Sequence, residues 1–437
     1  MVSRTVLPSF TAKYLLPLKR YGYITAPVGL GLFLHLGTAI LRLKTFFPYP
    51  KLLDFSAFYA AALALRSGFS PYSYPADWLQ HIRVIKAIPF LPPPIYNPPF
   101  WPWLLQPLTL VDFPTAAWLW LGLNLTLLVW GASMLARLAG YQGKKVLAAA
   151  FILTVTFGPV FLDLTLGQTS VVLLAAALGI GVSLRQTTKS SLWSASLAEG
   201  LATGAKLFPV LWMGAAVFLR RWKFFVLGML AVSILLGITA LWMPEANKEY
   251  WFNFLPYRIM SASEQPGMDD QSLGAWLDRL GRSHTYNVPG LDVNTPVTIT
   301  WSPPWSVNPE LLRWGGYVLA GILALPVMIR LLRTPSAQAE AGFYLWVLYT
   351  LIIFPHIERY NHTLLLPALA WLWGQGKWQK TAAALAYLLA GLSRLNHMWI
   401  TTLPAPWAPL ASGFGLYAAV VLAGSLYVSL KPAFAAT

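Results

Sequence analysis

The stretch YITAPVGLGLFLHLGTAILRL, residues 23–43, decides the fold class, because it is one apolar run in which Arg42 is the single charged residue. A helix needs about 20 apolar residues to cross the hydrocarbon core of a bilayer. Similar runs recur along the chain, which predicts an all-α, polytopic membrane protein. Strands of a membrane barrel would instead alternate polar and apolar residues.

The composition supports the same class. The chain has 437 residues, of which 57% are hydrophobic and 11% are charged, whereas about 25% are charged in a typical soluble domain. The 21 Trp and 19 Tyr residues suit rings that favour the interface between membrane and water.

The net charge of +16 raises the question of nucleic-acid binding, but the basic residues do not form one patch. They lie in short clusters between apolar runs: Lys19 and Arg20; Arg137, Lys144 and Lys145; Arg185 and Lys189; Arg220, Arg221 and Lys223; Arg330 and Arg333; Lys377 and Lys380; Lys431. This pattern reports topology and places the clusters in the cytoplasm. We therefore expect membrane lipids, and no nucleic acid, as partners.

The clusters fix a multi-pass arrangement in the cell membrane, with both termini in the cytoplasm and about 12 spans. The spans are predicted at 23–43, 115–138, 146–162, 168–184, 192–205, 206–219, 223–243, 311–331, 342–355, 362–376, 379–397 and 408–430. The chain then forms a single membrane domain, 1–437. Its two long extracytoplasmic segments, 44–113 and 244–310, are expected to carry short interfacial helices.

The first of these segments begins with Asp54-Phe55-Ser56-Ala57-Phe58-Tyr59-Ala60-Ala61, whose apolar spacing predicts a helix to about Gly68. The Pro-rich run 92–102 that follows is incompatible with a regular spanning helix. Residues 101–111 are therefore predicted to be re-entrant or interfacial.

Asp54 is a carboxylate at the mouth of the predicted bundle. It can serve as a general base that deprotonates an acceptor hydroxyl while a donor lies alongside in the bilayer. It can equally cap the helix that follows it. From these residues alone the helix cap is the stronger interpretation, and a membrane enzyme and a transporter both stay open.

Lys206 lies among small residues near the predicted outer turn between two short spans. Its ammonium group can hold a phosphate as a point charge. Alternatively, it extends to the interface or pairs with Glu199.

The segment from Phe354 to His362 joins two predicted spans and contains four ionisable residues, His356, Glu358, Arg359 and His362. It can bind phosphate through Arg359 and a histidine, or orient a sugar. The histidine spacing matches no strong zinc pattern. The remaining alternative is a polar turn with an internal Glu358–Arg359 pair.

Two further polar groups begin predicted helices. Gln168 can hydrogen-bond a sugar or satisfy helix-end amides. Asp269-Asp270-Gln271 opens a helix in the long loop, where the acids can bind a cation or acceptor hydroxyls, although capping is the stronger interpretation.

Several short motifs occur in an order that is more specific than any one of them. They are Asp54-Phe55 through Tyr59-Ala60-Ala61, Gly68, Pro71-Tyr72, Tyr96-Asn97-Pro98-Pro99-Phe100, Gln106-Pro107-Leu108, Trp120, Asn124, Gly167-Gln168, Gly200 to Pro209, Arg220-Arg221-Trp222, Gln271-Ser272-Leu273 and Tyr360-Asn361-His362 to Leu366-Pro367. With them the chain resembles glycosyltransferase family 87, of the GT-C superfamily, over about residues 54–370. That family includes polyprenyl-phosphate-mannose-dependent mannosyltransferases and related arabinofuranosyltransferases.

The resemblance implies a GT-C-type fold and inverting sugar transfer. We expect no cofactor, and the single acid in the first loop argues against a metal. The resemblance assigns the base to Asp54, above the helix-cap interpretation, and the donor phosphate to Lys206 and His362, with Arg359 beside them. Tyr59, Gln168, Gln271, His356 and Glu358 are the candidates for sugar or acceptor binding. Two features depart from the family, the Ile357–Tyr360 stretch before the histidine and the heavy Pro-rich segment 89–102.

We therefore predict a cell-envelope glycosyltransferase that moves a sugar, with mannose as first choice, from a polyprenyl-phosphate donor to a lipid or glycan hydroxyl. Its active site is expected on the extracytoplasmic side. A transporter of polyprenyl phosphate or lipid is one alternative, and a non-catalytic membrane protein is another. A GT-C branch that uses arabinose or a protein acceptor is the nearest one, although such branches more often carry two acids in the first loop.

Overall fold

The computed structural model describes residues 10–186, 188–257, 269–289, 296–301, 307–395, 403 and 407–431. The helices of the first half are α1 (Phe10–Arg42), α2 (Leu53–Arg66), α3 (Ala76–Ile85), α4 (Phe100–Leu104), α5 (Phe113–Leu138), α6 (Lys144–Thr156), α7 (Gly158–Leu166), α8 (Ser170–Gln186), α9 (Lys189–Ala205) and α10 (Met213–Phe218). Those of the second half are α11 (Trp222–Trp242), α12 (Pro244–Lys248), α13 (Leu273–Gly281), α14 (Pro309–Leu332), α15 (Ala339–Ile353), α16 (Leu366–Trp373), α17 (Lys377–Leu392), α18 (Trp407–Ser412) and α19 (Phe414–Ser429).

Long apolar helices confirm a polytopic membrane protein. Within the described residues, four helices are long and apolar enough to cross a bilayer: Ile24–Phe46, Phe113–Leu138, Trp222–Trp242 and Trp314–Leu332. The pair α6 and α7, bent by 66°, makes a fifth if it is one span. The other predicted spans contain helices too short for this criterion, such as α8 and α9 with 17 residues each. The count of about 12 therefore stays a prediction.

The break between α6 and α7 has a local cause. Phe157 adopts φ −54° and ψ 122°, and Pro159 follows two residues later and has no N–H to continue a ladder. The imidazole of His35 accepts a hydrogen bond from Gly158 N at 2.9 Å and lies 3.2 Å from the carbonyl of Tyr387. His35 thus joins α1, α7 and α17 at the bend.

Helix α2 confirms the helix predicted from Asp54 to about Gly68. Its residues from Phe55 to Ala64 are all buried, and four of its five alanines, at 60, 61, 62 and 64, are fully buried. Such small side chains let neighbouring segments approach its backbone closely. The short α4 and the 3-10 helix Gln106–Leu110 pack against it.

The Pro-rich segment rests on the end of α9. Asn97 Nδ2 donates to the carbonyl of Ala205 at 2.5 Å, and Tyr72 donates to the carbonyl of Asn97 at 2.8 Å. Gly204 lies so close to the Phe100 ring that a Cβ at 204 would come within 2.2 Å of Phe100 Cδ1. Short helices replace a long span here, and their depth in the membrane stays a prediction.

The long loop departs from the all-α expectation. It contains a two-stranded antiparallel hairpin, β1 (His284–Pro289) and β2 (Pro296–Trp301). Helix α13 begins as predicted, but its cap is Ser272, whose Oγ accepts from Ala275 N at 3.2 Å. Other parts of the predicted 244–310 loop, and both termini, lie outside the described residues.

Candidate active site

Asp54 is not a helix cap. Helix α2 begins at Leu53, and the capping position belongs to Leu52, at φ 35°, which makes no side-chain cap. Asp54 instead lies half-buried in the first turn, and its Oδ2 accepts a hydrogen bond from Gln168 Nε2 at 2.8 Å. The helix-cap interpretation is therefore wrong, and the carboxylate is turned toward the junction of α7 and α8.

The α7–α8 junction brings Gln168 to Asp54. Gly167 adopts φ 74°, which ends α7 in the left-handed conformation that glycine tolerates best. A Cβ at this position would lie 2.6 Å from that of Phe55 and 2.9 Å from that of Leu52. Trp120 Nε1 donates to the carbonyl of Gly167 at 3.1 Å and its ring stacks on Phe55 at 5.4 Å. The start of α2 and this turn are thus packed directly together.

Lys206 follows the last residue of α9 in an extended conformation. Its Nζ donates to Asn361 Oδ1 at 2.9 Å and lies 4.4 Å from the centre of the Tyr360 ring. The alternative pairing with Glu199 is wrong, because Glu199 is fully buried in α9 and accepts from Thr203 Oγ1 at 3.3 Å.

The electrostatics join these residues into one cluster. The positive charge of Lys206 acts on Asp54, Asp163 and Glu358. Burial raises the pKa of Asp54 to about 6, while the Gln168 hydrogen bond and Lys206 oppose the rise and Glu358 adds to it. Asp54 is therefore largely ionised near neutral pH, and it is a stronger base than an exposed aspartate.

Asp163 completes the cluster from α7. Its Oδ1 accepts from Ser170 N at 2.7 Å and so satisfies an N–H group at the start of α8. Its Oδ2 is buried without a hydrogen-bond partner among the described residues. Ser170 Oγ in turn lies 3.4 Å from Asn361 Oδ1, the acceptor of Lys206.

His356 bridges two carboxylates. Its Nδ1 lies 2.9 Å from Asp270 Oδ2 and its Nε2 lies 3.1 Å from Glu358 Oε1. Burial alone would lower the pKa of His356, but the two carboxylates raise it to about 10. An imidazolium that donates from both nitrogens therefore holds Glu358 beside Lys206.

Arg359 pairs with Asp269 of the long loop. Its Nη2 donates to Asp269 Oδ2 at 2.8 Å, and its Nη1 donates to the carbonyl of Ser393 at 3.3 Å. The alternative Glu358–Arg359 pair is wrong, since Glu358 is paired with His356 and Arg359 with Asp269. Arg359 joins the long loop to the end of α17, and a role at the donor phosphate would require this pairing to change.

His362 and Gln271 both pack against Gly415, at the start of α19. Gln271 Oε1 accepts from Gly415 N at 3.1 Å, and a Cβ at 415 would lie 2.9 Å from His362 Cε1. His362 is buried, and neither of its ring nitrogens has a hydrogen-bond partner among the described residues. Its imidazole thus retains unused donor and acceptor capacity next to the cluster's Asn361.

The structure therefore brings together Asp54, Gln168, Lys206 and Glu358, with His356 one hydrogen bond away. Tyr59 is separate, because it is buried and its hydroxyl donates to the carbonyl of Val111 at 2.5 Å. Asn361 and Tyr360, which hold Lys206, were not among the predicted site residues. Their position directly before His362 in the sequence is the signal that could have identified them.

The arrangement places a half-buried carboxylate, bound by the Gln168 amide, in the electrostatic field of a half-buried ammonium group, bound by the Asn361 amide. Such a site can take a proton from a hydroxyl at one end and stabilise an anion at the other. Among the residues that the structure describes, no three His, Asp or Glu side chains are grouped to hold a metal ion.

The sequence model of glycosyltransferase family 87 matches residues 96–355, which is more than half of the chain. The match includes Gln168, Lys206 and Gln271 and ends just before His356. No curated protein matches the chain.

Proposed function

Because the chain belongs to glycosyltransferase family 87, we propose that it transfers a sugar from a polyprenyl-phosphate donor to a hydroxyl of a lipid or glycan acceptor. The reaction takes place on the extracytoplasmic side, at the cluster of Asp54, Gln168, Lys206 and Glu358. The single observation that supports this most is the Asp54 carboxylate, held by Gln168 at 2.8 Å within the field of Lys206.

In the proposed step, Asp54 accepts the proton of the acceptor hydroxyl. The hydroxyl oxygen forms a bond to the anomeric carbon, on the face opposite the phosphate. The bond between that carbon and the phosphate oxygen breaks, and its electron pair leaves on polyprenyl phosphate. Attack and departure on opposite faces invert the anomeric configuration.

Lys206 stabilises the charge that develops on the leaving phosphate. Its ammonium is held by Asn361 and by the Tyr360 ring, so little reorganisation is needed when the charge appears. His362 can supply a further hydrogen bond, because its ring nitrogens have no partner among the described residues. Arg359 enters this proposal only if it exchanges Asp269 for the phosphate.

Glu358 and His356 are assigned to the sugar or the acceptor. Glu358 is about one-third exposed, and the bond to His356 holds its pKa below the usual range although burial alone would raise it. An ionised carboxylate accepts hydrogen bonds from sugar hydroxyls. Gln168 Oε1, which has no hydrogen-bond partner among the described residues, can accept from a sugar in the same way, whereas Gln271 would first have to release Gly415 N.

Membership in a transferase family favours this function over the transporter that the sequence left open. Mannose is proposed as the sugar. Arabinose and a protein acceptor, which other GT-C branches use, are the competing choices.

The test uses purified protein with short-chain polyprenyl-phosphate mannose and a membrane lipid extract, and it measures free polyprenyl phosphate together with the glycosylated product. We expect equal amounts of both, with the anomeric configuration inverted. Polyprenyl-phosphate arabinose is supplied in a parallel reaction. Turnover of arabinose alone would overturn mannose as the sugar, and turnover of neither donor with any acceptor pool would overturn the proposed donor class.

A further inference from the structure

A basic cavity lies at the opposite end of α9 from Lys206. It has a volume of about 900 Å³ and is bordered by the first residues of α9 and α11 and the last turn of α8. Helix α9 has 17 residues, so its ends are about 25 Å apart at 1.5 Å per residue. The orientation that puts Lys206 outside the cell puts this cavity at the cytoplasmic face.

Four cationic side chains line this cavity: Lys189, Arg220, Arg221 and Lys223. None of them forms an ion pair with an acidic side chain, and no acidic residue lines the cavity, within the part of the chain that the structure describes. Four like charges around one cavity repel each other. An anion bound between them would relieve that repulsion.

The backbone adds to the positive potential. Helices α9 and α11 both begin at this cavity, so their positive dipole ends lie there. The first turn of α11 has no side-chain cap, which leaves its N–H groups available to an anion. Arg220 is held at φ 57°, a left-handed conformation that is costly for a residue with a side chain.

An apolar groove continues from the basic cavity. It has a volume of about 380 Å³, lies between α9 and α11, and shares Trp193 and Leu227 with the cavity. Its walls are Leu197, Leu230, Ala231, Ile234 and Leu235, together with Ser194 and Ser196. Trp193 and Trp222 are exposed at its basic end, where indole rings favour the membrane interface.

We propose that the cavity and the groove together bind one phosphate-bearing lipid of the cytoplasmic leaflet. The anionic headgroup occupies the cavity among the four cations, and a hydrocarbon chain lies in the groove between α9 and α11. Basic pockets between membrane helices on the cytoplasmic side are known to bind anionic headgroups. The adjoining groove selects a lipid over a water-soluble phosphate compound, and the site is independent of the chemistry at Asp54.

The test measures lipid binding by native mass spectrometry on the full-length protein in detergent, with dioleoyl phosphatidylglycerol as the probe. Dioleoyl phosphatidylcholine has the same chains without a net charge, and glycerol 3-phosphate has the phosphate without the chains. We expect phosphatidylglycerol to bind at least about tenfold more tightly than phosphatidylcholine, and millimolar glycerol 3-phosphate to leave it bound. Displacement by glycerol 3-phosphate would overturn the lipid assignment.

The variant Lys189→Gln/Lys223→Gln removes two exposed cations from the cavity. We expect phosphatidylglycerol binding to weaken about 30-fold, since each basic residue near an anionic lipid contributes roughly fivefold. The matched control is Lys144→Gln/Lys377→Gln, which removes two exposed lysines from the same predicted membrane face. Equal weakening in both variants, or none in either, would overturn the site.

Two single variants test the two halves of the site separately. Arg220→Gly removes a cation where the backbone already suits glycine, and it should weaken binding roughly fivefold. Leu230→Trp places a larger side chain in the apolar groove. It should weaken binding of the dioleoyl lipid and leave binding of its dihexanoyl analogue, whose chains are too short to fill the groove, unchanged. Unchanged binding of the dioleoyl lipid to Leu230→Trp would contradict the chain's position.

Discussion

The hydrogen bonding and the pKa of Asp54 are set by residues from distant parts of the chain. Gln168 is 114 residues away in sequence and donates to its carboxylate, and Lys206 and Glu358 set the surrounding charge. The sequence predicted the position and importance of Asp54 but ranked a helix cap above a base until the family resemblance was considered. The capping position depends on the residue at which the helix begins, and α2 begins at Leu53, so that Leu52 rather than Asp54 takes that position.

The raised pKa of Asp54 predicts an acid limb in the pH profile. A base must be ionised, and Asp54 has a pKa of about 6, so kcat/KM should fall about tenfold per pH unit below pH 6 and level off above it. Initial rates from pH 4.5 to 8 measure this, with the melting temperature recorded in each buffer as a control. A flat profile down to pH 5 in folded protein would contradict the assignment.

Substitution of Gln168 should change the pH at which kcat/KM falls. The hydrogen bond from Gln168 favours the ionised carboxylate, so Gln168→Leu is expected to raise the pKa of Asp54 and shift the limb upward by about one to two pH units. The comparison variant is Gln80→Leu, at an exposed position of α3. A limb at the same pH in both variants would show that Gln168 does not act on Asp54.

At the scale of elements, the residues of the candidate site come from the ends of helices. The start of α2, the α7–α8 junction, the end of α9 and the 3-10 helix Arg359–Leu365 each contribute a polar side chain at a break in regular structure. The sequence predicted most of these helices and the polar groups at their ends. It did not predict the pairing of Arg359 with Asp269, 90 residues away, because no local pattern encodes the docking of a loop onto a distant turn.

Gly167 allows the close packing of the α7–α8 junction against α2. Gly167→Ala adds a Cβ that would lie 2.6 Å from Phe55 Cβ, whereas Gly68→Ala, also at positive φ, meets nothing within 4 Å. Both substitutions strain the backbone, so their difference isolates the steric clash. We expect Gly167→Ala to lose about 1–3 kcal/mol more stability than Gly68→Ala, as measured by denaturation in detergent, and to displace Gln168 from Asp54. Equal losses would contradict this packing.

At the scale of the whole molecule, hydrophobicity and charge predicted a helical membrane protein but not the break within the predicted span 146–162. The short segments at 168–184 and 192–205 were predicted, and they correspond to α8 and α9. The bend of 66° between α6 and α7 was not, because it depends on packing that hydrophobicity does not report. The hairpin of the long loop was likewise missed, because its strands form by pairing with each other across an intervening segment.

The proposed orientation can be tested without background labelling, because the chain contains no cysteine. Ser73 and Ser190 are both exposed, in the first loop and at the start of α9. A membrane-impermeant maleimide should label Ser73→Cys in intact cells, and Ser190→Cys only after the membrane is permeabilised. The reverse pattern would invert the orientation and place the active site in the cytoplasm.

The most direct test of the central claim compares sugar transfer by purified wild type, Asp54→Asn and Asp77→Asn. Asp77 is the next acid along the first loop and is exposed on α3, so its variant makes the same chemical change away from the cluster. The measured quantity is polyprenyl phosphate released from polyprenyl-phosphate mannose. We predict that Asp77→Asn matches wild type and that Asp54→Asn is slower by about 10²-fold or more while still folded. Asp54→Asn activity above about a tenth of wild type would contradict Asp54 as the catalytic base.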